Sequence, residues 1–153
     1  MLRATISAAR LRIVCGGSDA DLRMTEEIYA IYMQAIDGND KISVKRRTRL
    51  ARYFAEFVNN RDYHVRLGQD KFKKEGNFPT GHPGGDVAVW EFKAFQWRLY
   101  GGVAEVGGRR CFVGVAVDGS KKQDRADQQL LAIAARRLGS YTEFTPRTEG
   151  RGR

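Results

Sequence analysis

The chain has 153 residues, with 27 Lys and Arg against 18 Asp and Glu and a formal net charge of +9. That length suits one domain with its own core, and the charge balance points to a nucleic acid, an anionic membrane surface or an acidic protein as partner. No apolar run reaches the roughly 18 residues of a membrane span, the two cysteines (Cys15, Cys111) make no disulfide framework and suit a reducing, cytoplasmic setting, and His64 and His82 stand apart, which argues against a zinc cluster.

Residues 1–23 form an N-terminal extension that is open between a strand and a flexible arm. Ala4-Thr5-Ile6-Ser7 and Leu11-Arg12-Ile13-Val14 suit a strand, and Gly16-Gly17-Ser18 breaks it. Arg3, Arg10 and Arg12 without a continuous apolar core make a poor signal peptide, and Met24 is an alternative start. Residues 24–144 form the main domain, and the basic tail 145–153 is expected to be disordered.

The first helix is expected to be capped by Asp19 or Asp21, with Ile28, Ile31, Tyr32, Ala35 and Ile36 as its apolar stripe and Gly38 as a left-handed cap. A second helix runs from about Val44 to Val58 with Ser43 as N-cap and Leu50, Phe54, Phe57 and Val58 facing inward. Lys45, Arg46, Arg47, Arg49 and Arg52 crowd its remaining surface, either as a solvated face or as an outer phosphate contact. Tyr63–Asn77 carries a basic knot, Lys71, Lys73 and Lys74 around Phe72, with no clear period. A Gly/Pro loop, Phe78–Gly85, follows.

Three apolar runs then read as strands: Val87–Phe92, Phe95–Val106 and Cys111–Val117. Alternation places Val87, Val89, Glu91 and Lys93 on one side of the first, sets Phe95, Trp97 and Leu99 against Gln96, Arg98 and Tyr100 in the second, and puts Val113, Val115 and Val117 together in the third. A last helix covers about Asp124–Leu138, buries Ala126, Leu130, Ile133, Ala134 and Leu138, and is capped by Gly139. The fold class is α+β: a small antiparallel sheet of three to four strands packed against two N-terminal helices and one C-terminal helix.

No GxSxG, HExxH or phosphate-cradling GxxxxGKS/T occurs, the Gly-Gly pairs sit in turns or strands, and the acids make no catalytic dyad. No cofactor and no metal are expected. Glu91 reads as an ion-pair partner for Lys93 or Arg98. What remains is a set of cations and aromatics near the sheet: Lys93, Arg98, Tyr100, Lys121, Lys122, Arg125 and Tyr141. Such groups suit metal-free RNA cleavage, in which the 2′-hydroxyl attacks its own phosphate. Cations stabilise the phosphorane, a lysine or tyrosine exchanges protons, and aromatic rings stack bases.

In these residues the sequence resembles the RelE/HigB-like toxins of type II toxin–antitoxin modules, and within them the phage-derived HigB branch. "WEFK" (Trp90–Lys93) is similar to the family's strand ending in ELR or ELK, "WRLYG" (Trp97–Gly101) to its YRVxY strand, and the run from Val113 to Tyr141 to its last strand, Lys-Lys step and alanine-rich helix. The resemblance covers roughly residues 41–141. It implies an mRNA endonuclease, often ribosome-dependent, held inactive by a cognate antitoxin of helix-turn-helix type. It implies catalytic roles for Lys93, Arg98, Lys121, Lys122 and Tyr141. RNA contacts are expected from Arg46, Arg49, Arg52, Lys71, Lys73, Lys74, Tyr100 and Arg125. The chain departs from the family in its longer N-terminus, its extended Gly/Pro loop and the lack of a histidine near the sheet. Two alternatives stand beside this reading: a non-enzymatic ParE-like toxin that binds DNA gyrase, and a basic nucleic-acid-binding protein of phage origin without catalysis.

Overall fold

A threonine decides where the first helix begins. In the computed structural model, which describes residues 2–6, 11–82, 85–119 and 126–146, helix α1 spans Glu26–Ile36 and its N-cap is Thr25, whose hydroxyl accepts from the Ile28 amide. Glu26 and Glu27 occupy its first turn, where the helix dipole favours carboxylates. Asp19 and Asp21, expected as caps, are displaced because the preceding segment is extended: Ala20–Met24 is strand β3. Helix α2 spans Lys41–Asn59 and is capped by Asp40, which accepts from the Ser43 amide at 3.2 Å, so Ser43 lies inside the helix.

Gly38 is not a left-handed cap. The C-cap of α1 is Asp37 in the right-handed helical region, and arginines of α2 take the orphan carbonyls. Arg47 Nη1 donates to Ile36 O at 2.6 Å and to Gly38 O at 3.1 Å, and Arg46 Nη1 donates to Ala35 O at 3.2 Å. Carbonyls satisfied by a neighbouring helix do not need the glycine turn that would otherwise close the end.

The remaining strands are β1 (Leu2–Ile6), β2 (Arg12–Gly16), β4 (Phe72–Pro79), β5 (Asp86–Ala94), β6 (Trp97–Val106), β7 (Arg109–Asp118) and β8 (Thr142–Pro146). All join one mixed sheet with a six-strand path β2-β3-β7-β6-β1-β8, from which β5 and then β4 branch at β6. β5 pairs with Trp97–Gly101 of β6, while β1 pairs with β6 further on, at Glu105 and Val106. The β3–β7 and β1–β6 pairs are parallel. The class is α+β as expected, but the sheet exceeds three to four strands, and α3 (Tyr63–Leu67) and α4 (Gln128–Tyr141) bring the described helices to four. β4 escapes pattern reading because a bulge between Lys74 and Gly76 breaks its alternation, and its basic residues lie at an edge of the sheet. Residues 1–23 contribute β1, β2 and most of β3, and the tail enters β8 before residues 147–153, which lie outside the described residues.

Helices cover both faces of this sheet. On one, Leu22, Met24, Ile28, Leu50, Phe54, Phe57, Phe92, Leu99 and Phe112 pack together. On the other, Val89, Tyr100, Val113, Val115, Leu131, Ala134, Ala135 and Leu138 form a second core under α4. Of the expected stripe, Ala126, Ala134 and Leu138 are buried, but Leu131 and Ala135 take the places expected for Leu130, which is half-buried, and Ile133, which is 40% exposed. Asp127 accepts from the Gln129 amide at 2.9 Å, which sets the helix start later than Asp124, and Gly139 lies inside the helix rather than after it.

One irregularity sets the facing of β7. Its register to β6 runs Gly101↔Gly114 and then Tyr100↔Ala116, so Val115 is an extra residue. Val113, Val115 and Ala116 therefore belong to the α4 core, and Val117, expected beside Val113, packs on the opposite core. Gly101 permits this crossing: a Cβ there would press on the Val113 carbonyl and lie 2.8 Å from Phe112 Cζ. Replacing Gly101 with alanine is expected to destabilise the protein by about 1–3 kcal/mol through overpacking, read as a lower urea midpoint at an unchanged slope.

A cationic candidate site at the tip of the β5–β6 hairpin

The hairpin between β5 and β6 closes with two residues, Phe95 and Gln96, both at positive φ (+49° and +33°). The register Lys93↔Arg98 and Ala94↔Trp97 makes this the tightest kind of hairpin. Phe95, expected to open the second strand, is instead a turn residue, and β6 begins at Trp97. Opposite the turn lies one side of α2. Residues 45, 49 and 52 fall within roughly 60° of one another at 3.6 residues per turn. Lys45 Nζ sits 4.7 Å from the Phe95 ring centre, and the Arg49 guanidinium carbon sits 4.2 Å from it. Cations over an aromatic face attract its quadrupole, and this holds the hairpin tip against the helix.

Between α2, the turn before β4 and the hairpin lies a cleft of about 390 Å³. Arg49, Arg52, Lys71, Lys93 and Arg98 line it, with Tyr53, Phe95 and Trp97 as its aromatic walls and Asp70 as the one acid among the described residues that line it. Three separated stretches of sequence thus bring five expected site residues to one opening. Lys71 Nζ stands 3.8 Å from Asp70 Oδ2.

Arg98 is anchored from behind. Its Nη1 donates to Glu91 Oε1 at 2.6 Å, and the pair is buried, with Glu91 0% and Arg98 7% exposed. Glu91 therefore takes the ion-pair role expected for it. Among the described residues Glu91 Oε2 has no hydrogen-bond partner. Tyr100 lies next to Glu91 across the strands and is 0% exposed under α4, and its hydroxyl likewise has no partner among the described residues. Burial pushes its phenol up to about 12; Arg98 opposes that rise, and Asp118, Glu75 and Asp127 add to it. Tyr100 is accordingly a core residue and not the surface stacking ring expected.

The other expected contacts separate. Arg46 is turned to the end of α1, roughly 60° around the helix from Arg49 and 120° from Arg52. Lys73 lies opposite Glu91 and 3.9 Å from Glu75 Oε2. Lys74 lies opposite Trp90, on the other face of the strand. Lys121, Lys122 and Arg125 lie outside the described residues, as does the side chain of Tyr141, the last residue of α4. His64 does reach the sheet: its ring packs 5.2 Å from Trp90 and 4.0 Å from Tyr63, and burial, then Arg110, lowers its pKa. It borders a second cavity of about 600 Å³ with Ser18, Asp19, Arg61, Tyr63 and Arg110. There Arg110 closes the end of α2, donating to Phe57 O at 3.0 Å and Asn60 O at 3.2 Å.

Among the described residues no three His, Cys, Asp or Glu side chains gather as a metal-ligand set, and no helix is long and apolar enough to cross a membrane. Comparison of the chain with protein-family models, with curated proteins and with solved structures finds no match.

Two outcomes follow from the buried pair and its neighbour. Arg98→Ala leaves the Glu91 carboxylate buried and uncompensated and is expected to cost roughly 3–5 kcal/mol; the double variant Glu91→Gln/Arg98→Met recovers much of that in urea unfolding. Tyr100→Phe removes a hydroxyl without a partner among the described residues, so stability at pH 8 stays level or rises by up to about 1 kcal/mol. With its folded pKa near 12, above the ordinary value near 10, Tyr100 contributes stability below about pH 10 that is lost as pH rises toward 12. Unfolding titrations from pH 8 to 11 should therefore fall less steeply for Tyr100→Phe than for the parent chain.

Proposed function

We propose that this chain is a toxin of the RelE/HigB type that cuts mRNA without a metal, at the cleft between α2 and the β5–β6 hairpin. The observation that carries this reading is the convergence of Arg49, Arg52, Lys71, Lys93 and Arg98 on one opening with, among the described residues, a single acid on its wall. The order of elements also supports it: two long helices, a sheet, then a helix follow one another from α1 to α4, as the resemblance implies. A phosphodiester fits such a cleft by charge. Arg49 and Arg52 grip the backbone from α2, and Arg98, fixed by Glu91, supplies positive potential that needs no reorganisation when charge develops on the phosphorane oxygens. The RNA's own 2′-hydroxyl gives its proton to the Asp70 carboxylate on the cleft wall and attacks the phosphorus, a 2′,3′-cyclic phosphate forms and the bond to the 5′-oxygen breaks. An ammonium at Lys93 or Lys71 delivers the proton that the leaving oxygen needs. In this reading a cognate antitoxin silences the protein by covering the same face, and the ribosome presents the mRNA.

The test is to add purified protein to translating ribosomes and map the mRNA ends. Discrete cuts are expected. Arg49→Ala/Arg52→Ala should slow cutting on the order of 100-fold, while stability falls by only about 0.5–1 kcal/mol for the lost Arg49–Phe95 contact, since Arg52 is exposed and Arg49 half-exposed. In RNA-binding titrations each lost contact should flatten the slope of log affinity against log salt by about 0.7. Intact mRNA accompanied by gyrase-linked DNA breaks would sink the proposal, and salt-sensitive RNA binding without cuts would reduce it to a binding protein.

A further inference from the structure

The turn at the cleft mouth breaks a local rule. Two-residue hairpins with both residues at positive φ favour Asn-Gly or Asp-Gly, because a Cβ in the left-handed region meets the backbone. Here the positions are held by Phe95 at +49° and Gln96 at +33°. A bulky aromatic residue is among the least suited to that conformation, and strain of this kind points to a role when it sits at a site. Packing alone does not explain it, since Phe95 is only half-buried and belongs to neither hydrophobic core. Its ring is instead steadied by Lys45 and Arg49, one turn apart on α2, while Phe95 itself lines the cleft.

We infer that Phe95 is a stacking platform for one unpaired base, so that the cleft takes single-stranded RNA and rejects duplex. The inference rests on the RNA reading above and names the form of its substrate. A ring held at a hairpin tip beside Arg49, Arg52, Lys71 and Lys93 puts a π-face next to phosphate-binding groups. Proteins that grip single strands combine these two elements. In a duplex each base is already stacked on its neighbours and none is offered to the ring. Phe95 is half-exposed and lines the cleft, so part of its ring is open to a base, and a cation against the ring reinforces stacking through the same quadrupole.

The experiment uses the full chain and a labelled RNA oligonucleotide in three forms: unpaired, unpaired with one abasic site, and closed into a hairpin duplex. Binding is read by fluorescence anisotropy for the parent, Phe95→Leu, Phe95→Asn and Arg52→Ala. Phe95→Leu keeps an apolar side chain but loses the π-face. Phe95→Asn suits the left-handed turn, so its unfolding midpoint should hold or rise, which separates lost stacking from lost folding. Both Phe95 variants should bind unpaired RNA roughly 5- to 100-fold more weakly, and the parent should prefer unpaired RNA over the abasic and duplex forms. Arg52→Ala should weaken all three forms alike. Equal binding of unpaired RNA by the parent and both Phe95 variants, or a parent preference for duplex, overturns the stacking role and leaves the RNA reading standing if cutting persists. A parent that binds none of the three at low salt overturns both.

Discussion

The contact between Glu91 and Arg98 ties the sheet to the cleft. At 2.6 Å and with both side chains buried, the two charges have lost most of their water, and their mutual attraction offsets that loss. Each therefore holds the other in place. Arg98 cannot swing outward to follow a ligand without stranding a carboxylate under α4. It serves the cleft as a fixed wall of positive potential, and the adaptable contacts fall to Arg49, Arg52, Lys71 and Lys93. The same pair fixes the hairpin: Glu91 lies on β5 and Arg98 on β6, and the turn that carries Phe95 lies just beyond them.

Helix α2 serves fold and site by its period alone. Leu50, Phe54, Phe57 and Val58 face the aromatic core, where Phe57 meets Tyr63, Phe72, Phe92 and Phe112 at ring separations of 4.6 to 6.1 Å. Arg46 and Arg47 turn to α1 and close its open carbonyls. Lys45, Arg49 and Arg52 turn to the hairpin. A run that reads as undivided basic surface is thus three functions on three sides of one helix.

That division marks how far the sequence could be read. The inward stripe of α2, the three central strands, the Glu91 ion pair and the cationic character of the hairpin end all follow from period and residue type. Which arginine goes where does not, because it depends on where α1 ends and where the hairpin tip lies. β4 stays hidden since its bulge cancels the alternation that would reveal it, and the change of face at Val117 stays hidden since the extra residue, Val115, looks like any other strand valine. Tyr100 reads as a surface aromatic only until α4 is laid over it. The role of Phe95 has no local signal: neither Phe nor Gln announces a left-handed turn, and the cations that hold the ring come from a helix some fifty residues earlier.

The cleft concentrates costs that a purely structural feature would avoid. Folding brings Arg49, Arg52, Lys71, Lys93 and Arg98 together from three stretches of chain, with Asp70 on the wall, Glu91 behind it and Asp118 across the strand from Arg98 as acids nearby. Like charges gathered in this way disfavour the compact state. The turn beside them keeps an aromatic residue in a backbone region that asparagine or glycine would occupy with less strain. Neither feature helps the hydrophobic cores, which are complete on both faces of the sheet without them. Two independent departures from local preference, meeting at one opening, are what a site looks like when its ligand and not its fold sets the residues. On the reading proposed above, a strand of phosphates with an unpaired base answers both at once, for it neutralises the gathered charge and stacks on the strained ring.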